Sequence, residues 1–288
     1  MSEILEGGRG QKPTLPIEIA DAIRHWQAYL YVREKYLNFL EELPTYKGTG
    51  ETPRMFWWCW LQGIDNAPPI CKVCLDSLRK YYPDYAINLV DFSNINKIVQ
   101  FPNHVVEKFN EGKISPTHLS DLLRLELLIN YGGVWVDSTV FATGREPYYL
   151  HYPLFIFQEF GRNQPAHLGS TWLIVGEKNN PILITTRDLL YKFWEDHDGI
   201  DGPFYFVFNL MLKLASEKYP ELWREVPVFL NIPPHILQHE FFKKFSYERF
   251  EQIKNMSHFH KLTWKYPPEK LTPENIKGTF AEYVLKGM

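Results

Sequence analysis

The chain has 288 residues, 45% of them hydrophobic and 23% charged, which is enough apolar material for one α/β domain, alone or with an appended piece. A net charge of −3 argues against nucleic acid as the main partner. No run approaches the roughly 18 apolar residues of a membrane span, and the polar, glycine-rich residues 1–10 do not read as a secretory leader, so a cytoplasmic protein is expected, with contact at a membrane surface left open.

Residues 1–16 read as flexible. Residues 17–43 form one long amphipathic helix in this reading, with Ile19, Ile23, Trp26, Leu30, Leu37 and Leu40 near helical spacing. Its expected role is to cover a sheet, with docking to a membrane or partner as the alternative. A linker follows at 44–51. The chain thus divides into 1–51, a flexible N-terminus with a packing helix, and 52–288, the main α/β domain.

The apolar run 53–60 after Pro53 predicts a buried strand, 63–69 a loop, about 70–82 a helix, and 85–90 a second strand ending at Asp91. That is β-α-β, the start of a mainly parallel sheet covered by helices. Such sheets bind ligands beyond the carboxyl ends of their strands, where Trp60, Asp91 and Asp137 fall. Three cysteines are present, Cys59, Cys71 and Cys74. Cys71 and Cys74 form a C-x-x-C, but a zinc site needs about four ligands and no second pair lies near. With Ile70, Val73, Leu75 and Leu78 they read as the apolar face of a helix, structural thiols of a reducing compartment.

Ser115 and Pro116 predict a helix start, as N-cap and first-turn residue. The helix runs to about Tyr131 and stops at Gly132 and Gly133. Thr117, Ser120, Asp121 and Arg124 share one polar stripe on it. A carboxylate and a guanidinium three residues apart suit a structural ion pair, or a grip on sugar hydroxyls and phosphate. An apolar strand, Val134 to Val136, then delivers Asp137 to a strand end. Further strands are expected at 154–157, 171–175 and 226–230, and helices at 181–195, 204–218 and 273–285. The region after Pro233 reads as mostly helical, with a mixed segment at 258–265. There are no internal repeats and no low-complexity tract.

The segments Ser120-Asp121-Leu122-Leu123-Arg124 and Tyr131-Gly132-Gly133-Val134-Trp135-Val136-Asp137 resemble the signature of sugar-nucleotide glycosyltransferases with a DxD-type motif. The resemblance is to the bacterial capsular polysaccharide synthesis proteins of glycosyltransferase family 32. Residues 53–60 resemble the family's first strand, and His260-Lys261-Leu262-Thr263-Trp264-Lys265 its C-terminal active-site segment, so that the likeness extends over about 52–265. It implies a GT-A fold, a Rossmann-like sheet that binds a nucleoside diphosphate sugar, with a UDP-sugar expected. Trp60 would stack on the base, Asp121 and Arg124 would hold the donor sugar, Asp137 would contact ribose, sugar and metal, and Lys261 and Trp264 would lie near the diphosphate.

The family pattern carries a second aspartate two residues after the first, usually a contact of Mn²⁺ or Mg²⁺. This chain has Thr139 there. The remaining candidate metal ligands are Asp137, His258 and His260. The resemblance also implies a hexosyltransferase acting with retention. Its acceptor would be a saccharide of capsular or other surface polysaccharide, carried on a lipid diphosphate at the inner membrane face. The rival class is a non-catalytic protein that binds a carbohydrate or nucleotide sugar on the same fold, and a thiol-dependent enzyme using Cys71 and Cys74 is a distant third.

Overall fold

A computed structural model describes residues 17–145, 147–159, 166–200 and 202–286. The expectation for 1–16 lies outside the described residues. The strands are β1 (Met55–Cys59), β2 (Ala86–Val90), β3 (Gly133–Asp137), β4 (Val140–Ala142), β5 (Leu154–Gln158), β6 (Gly169–Gly176) and β7 (Phe259–Lys261). The helices that position the site are α1 (Ile17–Glu42), α2 (Pro69–Tyr81), α3 (Ile95–Ile98), α4 (Asn103–Asn110), α5 (Pro116–Tyr131), α6 (Pro181–Asp196) and α7 (Val207–Lys218). The C-terminal region adds α8 (Pro220–Arg224), α9 (Ile232–Glu240), α10 (Tyr247–Met256), α11 (Pro273–Ile276) and α12 (Phe280–Lys286).

Five strands form one sheet in the order β2-β1-β3-β6-β5. β1 pairs parallel with both β2 and β3, while β6 is antiparallel to both β3 and β5. Four strands therefore run one way and β6 the other, the mainly parallel, helix-flanked α/β fold that the β-α-β pattern predicts. A second sheet joins β4 to β7 antiparallel, with Val140 opposite Lys261.

Side chains alternate across a strand, and here the alternation divides two cores. Trp57 of β1 and Trp135 of β3 face one core, shared with α1, α5, α6 and α7. Phe56, Trp58, Val134 and Val136 face the other, beneath α2, β4 and the C-terminal helices. Cys71 and Cys74 are fully buried in that second core, where burial pushes both thiols up. That suits structural thiols.

Four expectations need correction. In α1 the side chains of Ile19, Ile23, Trp26 and Leu30 are exposed, and the buried stripe is Ala28, Tyr29, Val32, Tyr36 and Leu40. Both stripes have helical spacing; the buried one carries hydroxyls that find partners. Tyr29 Oη donates to Glu217 of α7, and Tyr36 Oη lies 3.4 Å from His197 Nδ1. Residues 226–230 are not a strand. Val228 is exposed, Pro227 offers no N–H to a ladder, and the segment meets the sheet edge only through a bridge between Gln158 and Leu230. Residues 202–206 form a 3₁₀ turn before α7. The final helix is broken between α11 and α12 at Gly278, whose φ is 71°. Among the described residues no helix is long and apolar enough to cross a membrane.

Candidate active site

β1 and β3 lie side by side with Cys59 opposite Asp137, so their carboxyl ends open together. Helix α5 packs on the Trp135 face of β3. Its start is fixed by Ser115, whose Oγ accepts from His118 N at 3.3 Å, and by Pro116 in the first turn. Its end is set by Gly132. This frame encloses a cavity of about 450 Å³ lined by Trp60, Thr117, Arg124, Asp137, Lys261 and Trp264, among others. Five of the eight candidate residues thus meet in one place.

Trp135 and Asp137 are two residues apart on β3 and share a face. The Trp135 indole N–H donates to Asp137 Oδ1 at 3.1 Å, and Lys261 Nζ lies 3.0 Å from Asp137 Oδ2. Burial alone would raise the Asp137 carboxyl. The charges of Lys261 and Arg124 outweigh it and hold the group below the usual carboxylate range.

Arg124 is buried, with its guanidinium 5.0 Å from the Trp135 ring centre. Nε donates to Ser120 O at 3.2 Å and Nη1 to Thr171 O of β6 at 2.8 Å; Nη2 donates to Ser120 Oγ at 3.3 Å and lies 3.1 Å from Asp121 Oδ1. Asp121 joins the cluster through that pair and is not part of the cavity lining. Burial pushes its carboxyl up, against the opposing pull of Arg124 and His118.

Trp60 and Trp264 meet edge to face, with ring centres 5.8 Å apart and planes at 89°. Trp264 is half exposed, and the Trp60 indole nitrogen is buried with no hydrogen-bond partner among the described residues. The ring of Trp60 lines the cavity, while its N–H is turned away from open space.

His258 and His260 lie elsewhere. On β7 the odd residue Lys261 faces Asp137, so His260 turns to the opposite side. It is fully buried, bonds Thr143 Oγ1 at 2.9 Å, and burial pushes its pKa down to about 3. His258 shares its parity and packs against Gly144. Among the described residues no three His, Cys, Asp or Glu side chains gather as an ion site. The described side chains alone therefore form no ready-made cage for a divalent ion. Asp137 is engaged on both oxygens, and its neighbour two residues on is the neutral, buried Thr139.

Trp135, Gln62 and Asn66, all on the cavity wall, are not among the site residues expected from the sequence, while Thr139, expected in place of a second aspartate, lines it too. For Trp135 a signal was present, since a residue two before a strand-end aspartate shares its face. Gln62 and Asn66 sit in the loop after β1, where periodicity carries no information.

The fold and this mouth define an α/β protein with a cavity lined by charged and aromatic side chains at the carboxyl ends of parallel strands. The chain belongs to the capsular polysaccharide synthesis protein family, whose model matches residues 17–282. It is similar to the O-glycosyltransferase braB of Annulohypoxylon truncatum, with 31% identity over 206 residues, 62% of this chain and 44% of that protein. It is also similar to the O-glycosyltransferase PaGT of Phomopsis amygdali, with 26% identity over 170 residues, 53% of this chain and 41% of that protein. The match spans less than half the length of these relatives. Among solved structures, the PaToxG glycosyltransferase aligns over 93% of this chain and 98% of its own, at 14% identity and a TM-score of 0.43.

Proposed function

We propose that the protein is a GT-A glycosyltransferase that takes a UDP-linked sugar and passes the sugar, with retention, to a hydroxyl of a saccharide acceptor. The acceptor in this reading is a surface polysaccharide unit on a lipid diphosphate at the inner membrane face. One observation carries the proposal: Asp137, Lys261, Arg124, Trp60 and Trp264 line one cavity at the carboxyl ends of β1 and β3. Each residue type matches a part of the donor. An indole face suits a base, a carboxylate suits paired hydroxyls, and an ammonium suits a diphosphate. Family membership supports a role in polysaccharide synthesis, and the similarity to two O-glycosyltransferases supports oxygen as the accepting atom.

In the reaction the bond from the anomeric carbon to the diphosphate oxygen breaks and a bond to the acceptor oxygen forms on the same face of the sugar. The acceptor's proton passes to the departing phosphate oxygen. Negative charge grows on the phosphate and positive charge on the ring. Fixed groups of opposite sign beside each stabilise that separation: Lys261 and the first turn of α5 on one side, Asp137 on the other, with Asp121 acting through the Arg124 guanidinium it pairs with.

The test is incubation with a panel of nucleotide sugars, following release of the nucleoside diphosphate. Slow hydrolysis of one donor is expected without acceptor, and Asp121→Asn should lower it roughly a hundredfold, with a lowered but cooperative melting transition because the buried Arg124 loses its ion pair. Tight binding with no turnover under any acceptor would move the protein to the non-catalytic class, and wild-type turnover in Asp121→Asn would remove that residue's role.

A further inference from the structure

Lys261 is carried on β7, more than a hundred residues from β3, yet its ammonium sits between two side chains of the β3 exit. Nζ lies 3.0 Å from Asp137 Oδ2 and donates to Thr139 Oγ1 at 2.6 Å. The backbone fixes this position. Val140 of β4 pairs with Lys261, and Leu262 N donates to Thr139 O at 3.0 Å. Only 21% of the Lys261 side chain is exposed, and Thr139 is 3% exposed. The ammonium is thus a held charge, not a mobile surface lysine. Two of its three N–H groups are engaged, and it lines the cavity, so the third is open to a ligand oxygen.

A divalent ion at this motif would be held by carboxylate oxygens such as those of Asp137 and would supply positive charge to hard anionic ligands. Here the second residue is a hydroxyl, and the ammonium already lies between the two side chains. An ion joining Asp137 would stand within a few ångström of the fixed charge of Lys261, with one carboxylate to offset both. Arg124 is less free to serve a ligand, because four of its five N–H groups are taken up by Ser120, Thr171 and Asp121. Lys265 is turned over the Trp264 ring.

We propose that Lys261, clamped by Asp137 and Thr139, does the work of the divalent cation in this protein: it binds the donor's diphosphate and takes up the charge on the leaving phosphate, so that donor binding and transfer need no metal. The proposal rests on the transferase reading above. One ammonium supplies half the charge of a divalent ion. The first turn of α5 adds to it, because Pro116 and Thr117 line the same cavity and the N-terminal end of a helix is partially positive.

The test is calorimetric titration of UDP, and of GDP in parallel, into the full chain in excess EDTA and again with Mn²⁺. Affinities agreeing within about threefold are expected for the nucleotide that binds. Lys261→Met keeps the stem and removes the charge, and it should weaken binding in EDTA roughly a hundredfold. Binding that needs Mn²⁺, or a Lys261→Met variant that binds in EDTA as tightly as wild type, overturns the lysine's role and leaves the transferase reading standing. If neither nucleotide binds under either condition, both readings fall.

Discussion

Trp135 shows how much a single residue organises. Its indole donates to Asp137 and its ring lies beside the Arg124 guanidinium, so one side chain orients an anion and a cation together. Trp135→Phe keeps most of the ring and removes the N–H. The unfolding free energy should fall by about 1–2 kcal/mol, the cost of leaving a buried acceptor short of a partner. Turnover should fall roughly ten- to a hundredfold through misplacement of Asp137, with donor affinity changed less. Chemical denaturation and a split of kcat from KM would check this, and an unchanged kcat would show that Asp137 is held without the indole. Sequence made the acidic and basic partners legible at this scale, because strand-end and helix-stripe positions follow from periodicity. It could not show that the Arg124 donors are engaged by backbone oxygens, or that His260 turns away from Lys261. The first depends on Thr171 of the distant β6, and the second on residues 259–261 forming a strand against β4.

The element that places these groups is the turn from α5 into β3. Gly133 has φ of 100°, and a Cβ built there would lie 2.5 Å from Met55 Cγ and 2.8 Å from Met55 O. The backbone oxygen cannot step aside without disturbing β1. Gly133→Ala should therefore cost about 2–4 kcal/mol, combining backbone strain with overpacking. Gly199→Ala, where a Cβ meets nothing within 4 Å, should stay within about 0.5 kcal/mol. Equal melting of the two variants would refute the argument. Local signals made this turn readable: a serine cap, a proline and a glycine pair. The same signals located β1, α2, β2 and α6. The reversed direction of β6, the outward stripe of α1 and the failed strand at 226–230 were not readable. Pairing direction, choice between two apolar stripes and edge contact are settled by distant partners, here α7 and β5.

Across the whole molecule, both faces of the sheet bury a histidine in its neutral form. His167 lies in contact with His25 and Phe206 on the α1 side, and burial pushes its pKa down to about 4; His260 lies on the β7 side, pushed down to about 3. Each has one ring nitrogen buried without a partner among the described residues, His167 Nε2 and His260 Nδ1, so a proton there would add a buried charge that no described residue offsets. The unfolded chain takes up these protons near the ordinary value of 6.5, while the folded chain refuses them until well below it. Between those limits the unfolded state binds more protons, so stability falls as pH falls from about 6.5. The slope is on the order of 1 kcal/mol per pH unit for each histidine. Asp121 works the other way: its carboxyl is raised above 3.8, so the folded state gains that proton first and the loss is partly offset toward the acid end. Urea unfolding at pH 7.5, 6.5, 5.5 and 5.0 should show a midpoint that is flat at first and then falls. His260→Gln should keep the neutral fold and reduce the fall by less than half, since His167 remains and burial also lowers the pKa of His235. A midpoint independent of pH down to 5 would mean that these rings are protonated in the folded state, and would remove the account of both cores as closed to charge.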